Sequence, residues 1–155
     1  SFLGFKNYQT EQYNIITADR DSSYITYETN GFCNSPFQAV GDYIKIELPS
    51  MGIPNFEKVK DRESSVKIYR PLAQVDTIYF SFDHSSCELT TDKQVIVESI
   101  FGKLKMEISI EGNQLKIIRK YEIPIQDIPL DQYKNFYGFI EQMNAKGGNV
   151  YYKKL

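Results

Sequence analysis

Residues 104–123, LKMEISIEGNQLKIIRKYEI, decide the fold class of this sequence. On both sides of Gly112-Asn113, apolar side chains alternate with mostly polar ones. This period of two is typical of strands that bury one face. A Gly-Asn pair also supplies the positive φ values that two-residue hairpin turns need. The stretch therefore predicts an antiparallel hairpin with its turn at Gly112-Asn113.

The same alternation predicts more strands. Before Pro49, residues 42–48 direct Ile44, Ile46 and Leu48 to one face and Lys45 and Glu47 to the other. Further strands are predicted at 24–29 (Ile25 and Tyr27 on one face), 66–69, 78–82, 94–98 and 149–153. The charged segment 55–65 and the polar segment 83–93 are predicted to be loops.

One segment has the period of a helix instead. Its apolar side chains form a stripe with spacings of three and four: Tyr133, Phe136, Tyr137, Ile140 and Met143. Pro129 and Asp131 suit a helix start, and Lys146 suits the last turn. Gly147-Gly148 favours a left-handed exit. These signals predict one C-terminal helix over about 131–146.

Together these elements predict a mostly β protein, an antiparallel β-sandwich (Ig-like) with one C-terminal α-helix. No repeat or linker divides the 155 residues, so we expect one domain over 1–155. A hydrophobic content of 41% excludes a disordered chain.

Charge and hydropathy limit the classes of partner. With 18 basic and 20 acidic residues, the net charge is −2. The chain therefore lacks the excess of basic residues that is typical of proteins that bind nucleic acid or an anionic membrane. No apolar run approaches the roughly 20 residues that span a bilayer. The start has neither a signal-peptide pattern nor an initiator Met, so we interpret the chain as a mature or truncated piece of a longer protein.

Candidate chemical groups are sparse. His84, the one histidine, precedes Cys87 by three residues, but nothing at a recognisable spacing supplies the third group of a nucleophilic site. Segment 19–23 with Glu28 lacks the ligand alternation of a calcium loop. We predict no catalytic, cofactor-binding or metal-binding residues, and hence no enzyme and no cofactor. Cys33 and Cys87 favour two separate thiols, with a disulfide as the alternative in an oxidising compartment.

Aromatic residues are abundant, with 12 Tyr and 10 Phe. Most are expected to fill the core, while exposed rings could stack on sugars or contact protein partners. Tyr151 and Tyr152 are neighbours on a predicted strand, so one of them must face away from the other. Exposed aromatic rings therefore leave a glycan-binding module as one possible function of the chain.

The first residues are apolar for a free end: Phe2, Leu3, Phe5 and Tyr8. This pattern predicts a surface that packs against something. For the isolated chain we expect a monomer or weak self-association through that surface.

From about residue 42 the chain resembles the β-rich C-terminal domain of bacterial transglutaminase-like proteins that carry an uncharacterised N-terminal domain. The likeness is fullest over about 76–155. It rests on Phe80-Ser81-Phe82, Ser99-Ile100-Phe101-Gly102, the Gly112-Asn113 turn, Arg119 in Ile118-Arg119-Lys120, and a Pro-x-x-x-Tyr-x-x-Phe-x-x-Phe pattern at Pro129, Tyr133, Phe136 and Phe139 with Asp131 inside it.

This resemblance implies a periplasmic or cell-envelope location. It also implies an accessory role in docking to preceding domains of the same polypeptide or to an envelope protein. The family's catalytic Cys-His-Asp set belongs to the transglutaminase core, where the Cys precedes the His. Here His84 precedes Cys87, so no catalytic role is carried over to either residue.

Overall fold

The computed structural model describes residues 8–18, 21, 24–33, 37–81 and 87–155. It is mostly β, with antiparallel sheets and one C-terminal helix, which confirms the predicted fold class. The elements are β1 Tyr8–Thr17, β2 Thr26–Cys33, β3 Phe37–Val40, β4 Tyr43–Glu47, β5 Val66–Ile68, β6 Leu72–Ser81, β7 Cys87–Leu89, β8 Gln94–Ser99, β9 Gly102–Glu111, β10 Gln114–Ile123, β11 Gln126–Ile128, α1 Tyr133–Gly147 and β12 Asn149–Lys154.

Two four-stranded sheets dominate the structure. Sheet I has the order β6-β10-β9-β8, and sheet II has the order β3-β4-β12-β7. Strands β5 and β11 form a small two-stranded sheet, and β1 pairs with β2 in a two-stranded ribbon. Every strand pair is antiparallel.

The predicted hairpin is confirmed as β9 and β10, the middle of sheet I. Gln114 pairs with Glu111 across a two-residue turn, and Gly112 has a φ of 60°. Leu104, Met106, Leu115 and Ile117 are fully buried, as the alternation predicts. Only the tip differs, because Ile110 is 39% exposed where the hairpin extends past the core.

The inner faces of sheets I and II pack against each other and form one half of the core. This sheet-on-sheet layer gives the molecule its β-sandwich character. Its buried members are Ile46, Leu48, Met106, Ile108, Leu115, Ile117, Val150 and Tyr152.

The helix forms the other half of the core. It packs on the remaining part of sheet I together with the small sheet of β5 and β11. Of the predicted stripe, Tyr133, Phe136, Ile140 and Met143 are buried, while Tyr137 is half-buried. Phe139, which lies outside the predicted stripe, is also buried, against Phe101.

Both predicted helix ends differ from the structure. A 3-10 turn over Leu130–Gln132 precedes α1, so Asp131 does not cap the helix. Gly148 has a φ of −96°, so the predicted left-handed exit is wrong. The glycines are needed for close packing instead. A Cβ on Gly147 would lie 2.9 Å from Met51 Sδ, and one on Gly148 would lie 2.6 Å from the Asn144 carbonyl oxygen.

The N-terminal third departs most from the predictions. The strand predicted at 24–29 is β2, Thr26–Cys33, and Ile25 and Tyr27 are 70% and 38% exposed rather than on a core face. Strands β1, β3, β7 and β11 were not predicted, and β7 lies inside the predicted loop 83–93. Phe2, Leu3, Phe5, Phe82 and His84 lie outside the described residues, as does the side chain of Tyr8.

Candidate functional site

Arg119 is the one buried charged residue in the described part of the chain, and it lies on the inner face of β10. Its Nε and Nη2 donate hydrogen bonds of 3.1 and 2.6 Å to Oδ2 of Asp76, directly opposite on β6. Its Nη1 donates to the carbonyl oxygen of Gly147, 2.7 Å away at the end of α1. Gln74 Nε2 donates to the other Asp76 oxygen at 2.5 Å.

This cluster ties sheet I to the C-terminus of the helix. The guanidinium and the carboxylate neutralise each other, and the guanidinium also meets a carbonyl at the negative end of a helix. The Arg119 side chain is only 1% exposed and that of Asp76 is 19% exposed. The arrangement holds structural elements in place and offers no exposed reactive group.

The cysteines and acidic residues considered as candidate reactive or metal-binding groups do not form a cluster among the described residues. Cys87 begins β7 and Cys33 ends β2; both are half-buried, and no disulfide joins them. Burial raises the pKa of the Cys33 thiol, which disfavours the reactive thiolate. No group of three potential metal ligands occurs in the described ranges, and Asp19 of the acidic segment falls outside them.

Two open clefts border the helix. One of about 230 Å³ lies between the C-terminus of α1 and β4, and includes Lys45, Glu47 and Asn144. The other, of about 340 Å³, lies between α1 and the end of β8, beside Phe101 and Phe139. Neither brings together an apolar pocket and convergent polar groups, which small-molecule sites usually combine.

The β1–β2 ribbon carries several exposed apolar side chains. Tyr13 faces Thr29 and Ile15 faces Tyr27, so Tyr13, Ile15 and Tyr27 share one face, here called the ribbon apolar face. These three side chains are 47%, 52% and 38% exposed, and the two tyrosine rings lie 5.7 Å apart. The opposite face carries Gln12, Asn14, Glu28 and Asn30, and it also carries Phe32, which is 64% exposed near the end of β2.

None of the ribbon side chains that the structure describes belongs to either core cluster. Tyr27 links the ribbon electrostatically to Asp76 on β6. Burial raises the pKa of the Tyr27 phenol, and the nearby Asp76 carboxylate raises that pKa further. The ribbon therefore lies beside β6 with most of its apolar face still open to solvent.

Sequence reasoning placed the unpacked surface at residues 2–8 and missed the ribbon apolar face. The signal was the short alternation Tyr13-Asn14-Ile15, which irregular pairing interrupts on both sides, between Thr10 and Gln12 and between Ile15 and Thr17. Of the two neighbouring tyrosines, Tyr152 is buried and Tyr151 is 38% exposed, so the expectation that one faces outward is confirmed.

No helix in the described residues is long and apolar enough to cross a membrane. A family model described as "Domain of Unknown Function with solved-structure structure (DUF3858)" matches residues 44–151. The curated proteins contain no match to the chain.

The fold is also similar to the crystal structure of "a putative protease from Parabacteroides distasonis ATCC 8503". The TM-score is 0.54 at 17% identity, over 72% of this chain and 23% of that one. A likeness at this identity concerns the fold. The match spans less than a quarter of that protein's length.

Proposed function

This chain belongs to the DUF3858 family of domains of unknown function, and from that premise we propose that it is a non-catalytic accessory β domain. In this proposal it docks, through the ribbon apolar face, onto a preceding domain of the same polypeptide or onto an envelope protein. We expect the docking partner to be the preceding part of the same polypeptide.

The observation that carries this proposal is the position of the ribbon. It precedes residue 44, where the family match begins, and none of its described side chains belongs to either core cluster. Its apolar face exposes two tyrosines and an isoleucine. Apolar side chains stabilise a protein only when they are buried, so these three contribute little to the fold of the isolated chain. Aromatic residues of this kind are enriched at protein interfaces. A docking role accounts for an apolar face on a segment that the core does not use.

Two further observations support an intramolecular partner. The structurally similar Parabacteroides protein is more than four times as long as the matched region, so this fold occurs there as one part of a larger chain. The resemblance to transglutaminase-like proteins points the same way, because their β-rich domain follows a transglutaminase core. On the same ground we propose a periplasmic or cell-envelope location.

The absence of catalysis is part of the proposal. The buried ion pair of Arg119 and Asp76 is fully used in holding the fold. Because the sequence has a single histidine and no partnered nucleophile at a recognisable spacing, we expect the purified chain not to turn over peptide, ester or glycoside substrates. Activity that was lost in Cys87→Ala or His84→Ala would overturn this part of the proposal.

Docking can be tested by calorimetric titration of the purified chain with the polypeptide encoded directly upstream of Ser1. We expect the wild-type chain to bind, and Ile15→Ser and Tyr27→Ser to weaken binding at least about tenfold, because each removes apolar contact area. The matched controls are Asn14→Ser and Glu28→Ser, which change polar residues on the opposite face of the same ribbon. Equal binding by both sets of variants, or no binding by the wild type, would refute the docking role.

The glycan-binding alternative rests on a separate surface. Tyr43 and Tyr151 are 43% and 38% exposed on the outer face of sheet II, where β4 pairs with β12. Asn149 lies on the same face, opposite Glu47. Exposed aromatic rings beside an amide are typical of sugar-binding surfaces. A glycan array would favour this alternative if it gave a signal that Tyr43→Ala and Tyr151→Ala abolish.

A further inference from the structure

The outer face of sheet II carries two tyrosines and two lysines in alternation. Tyr43 on β4 lies directly opposite Lys153 on β12, and Lys45 lies directly opposite Tyr151. Because side chains alternate between the two faces of a strand, all four lie on the face away from the core. The two tyrosines are therefore diagonal neighbours across the strand pair, and each has a lysine beside it.

This face continues into the cleft of about 230 Å³ between β4 and the end of α1. Lys45 belongs to both, because it also lines the cleft, together with Glu47, Asn144 and Asn149. Within the described part of the chain, none of these four side chains has a hydrogen bond or an ion pair. An ammonium, a carboxylate and two amides thus border one space with their hydrogen-bonding capacity unused.

The backbone around this space is fixed. The N–H of Tyr151 donates to Oγ1 of Thr91 at 2.8 Å, and the Tyr151 carbonyl oxygen accepts from the N–H of Thr90 at 2.9 Å. On the other side of the cleft, the N–H of Leu48 donates to the Gly148 carbonyl oxygen at 2.9 Å, which ties the end of β4 to the end of the helix. A site that is already ordered costs less entropy to fill.

We propose that this surface, here called the sheet II site, binds a sugar that carries a carboxylate. Its members are Lys45, Glu47, Asn144, Asn149 and Tyr151. The ring of Tyr151 stacks on the apolar face of the sugar, Lys45 donates to the carboxylate, and the two amides bind hydroxyl groups. Lys45 is half-buried and has no counterion among the described residues, so the carboxylate of the ligand completes its pairing.

Glu47 restricts the kind of anion that fits. It follows Lys45 by two residues on the same face of β4 and lines the same cleft. Its carboxylate accepts hydrogen bonds from hydroxyl groups but repels a second negative group. A sugar with one carboxylate beside several hydroxyls satisfies both residues, whereas a densely sulfated sugar does not. Tyr43, at the diagonal position, extends the aromatic surface for a neighbouring sugar.

This inference rests on the glycan-binding alternative, to which it adds a cleft and a ligand class, and it is independent of docking through the ribbon. Lys45, Asn144 and Tyr151 lie inside the family-matched residues, whereas the ribbon precedes them. Variants of the sheet II site and variants of the ribbon apolar face therefore test separate proposals, and either can fail alone.

A glycan array of the purified chain tests the ligand class. The array carries oligogalacturonate, hyaluronan oligosaccharides and sialyllactose, each beside its methyl ester, with cellohexaose as a neutral glycan and heparin oligosaccharides as sulfated ones. We expect a signal from at least one free acid and a much weaker signal from its ester, because the ester lacks the charge that pairs with Lys45.

No signal from any free acid, equal signals from an acid and its ester, or the strongest signal from heparin would overturn the inference. Binding of the neutral glycans alone would overturn it and still support the glycan-binding alternative. An array with no signal at all would refute both, and the calorimetric test of docking would be unaffected.

Calorimetric titration with the free acid that gives the strongest signal, and with its ester, assigns the roles of the residues. Lys45→Gln should weaken binding of the acid at least about tenfold and leave binding of the ester unchanged. Tyr151→Ala should weaken both. The matched controls, Lys116→Gln and Tyr79→Ala, change the same two residue types where they lie opposite each other on the outer face of sheet I, and should bind like the wild type.

Circular dichroism of each variant should match that of the wild type. A Lys45→Gln variant that still distinguishes the acid from its ester would overturn the inference. So would sheet I controls that lose as much affinity as the sheet II variants.

Discussion

Arg119 and Asp76 lie opposite each other on β10 and β6, 43 residues apart in the chain, and form a buried ion pair with an N–O distance of 2.6 Å. Through the Gly147 carbonyl the same guanidinium reaches the end of α1. One side chain thus connects the edge strand, the central hairpin and the helix.

Replacing Arg119 by Met should lower the free energy of unfolding by about 3–5 kcal/mol, because it leaves the Asp76 carboxylate uncompensated inside the protein. Urea unfolding gives the value. Lys105→Met, which breaks the exposed pair of Lys105 with Glu107, should cost less than about 1 kcal/mol. The double variant Asp76→Leu/Arg119→Met should lose less than the sum of its two single variants. Additive losses would show that the two groups are not coupled.

Replacing Phe136 or Ile140 by Ala should each lower the free energy of unfolding by about 2–5 kcal/mol, since both side chains are buried between the helix and sheet I. Gln142→Ala on the exposed side of the same helix controls for helix propensity and should change stability by less than about 0.5 kcal/mol. Thermal or urea melts that show no loss for the buried substitutions would contradict the packing of α1.

Gly102 and Gly112 should respond differently to Ala, although both have positive φ. A Cβ on Gly102 would lie 2.4 Å from the Glu122 carbonyl oxygen, while one on Gly112 would meet open space. Gly112→Ala should therefore cost only the backbone term of about 1–2 kcal/mol, and Gly102→Ala should cost clearly more. Equal losses in urea unfolding would argue against the close approach at Gly102.

Stability should fall at alkaline pH through Tyr152. Burial, and secondarily the nearby Cys87, raise the pKa of its phenol to about 12, above the ordinary value of 10.0. The folded state therefore holds this proton more tightly than the unfolded state. Its contribution is fully present below pH 10 and is lost as the pH rises towards 12, by roughly 2–3 kcal/mol.

Urea unfolding between pH 9 and 12 measures this loss. Tyr152→Phe should flatten the pH dependence, whereas Tyr151→Phe, at the exposed neighbouring position, should leave it as in the wild type. Identical pH profiles for the wild type and Tyr152→Phe would rule out this source of alkaline sensitivity.

The parts of the fold that local periodicity dictates were predictable. The β9–β10 hairpin has long alternating strands and a turn whose residue types match its geometry, and α1 has a stripe of apolar residues. Strands β3, β7 and β11 have three or four residues and show no clear period, although the equally short β5 was predicted. They exist because neighbouring strands offer hydrogen-bond partners.

Arg119 illustrates the same limit. Its inward direction could be predicted, because it shares the phase of Leu115, Ile117 and Tyr121 on β10. Its partner could not, since the antiparallel pairing of β6 and β10 alone places Asp76 opposite it. Likewise, the helix end needed glycine for contact with Met51, a residue that only tertiary packing brings there.

Hydrogen exchange of the ribbon amides measures whether the ribbon is covered by docking. Amides of residues 8–17 and 26–33 would be compared in the isolated chain and in the longer polypeptide that includes the segment encoded upstream of Ser1. We expect these amides to exchange at least about tenfold more slowly in the longer polypeptide, because docking covers the ribbon. Amides of the β9–β10 hairpin should exchange equally in both. Equal exchange of the ribbon in the two proteins would contradict the docking account.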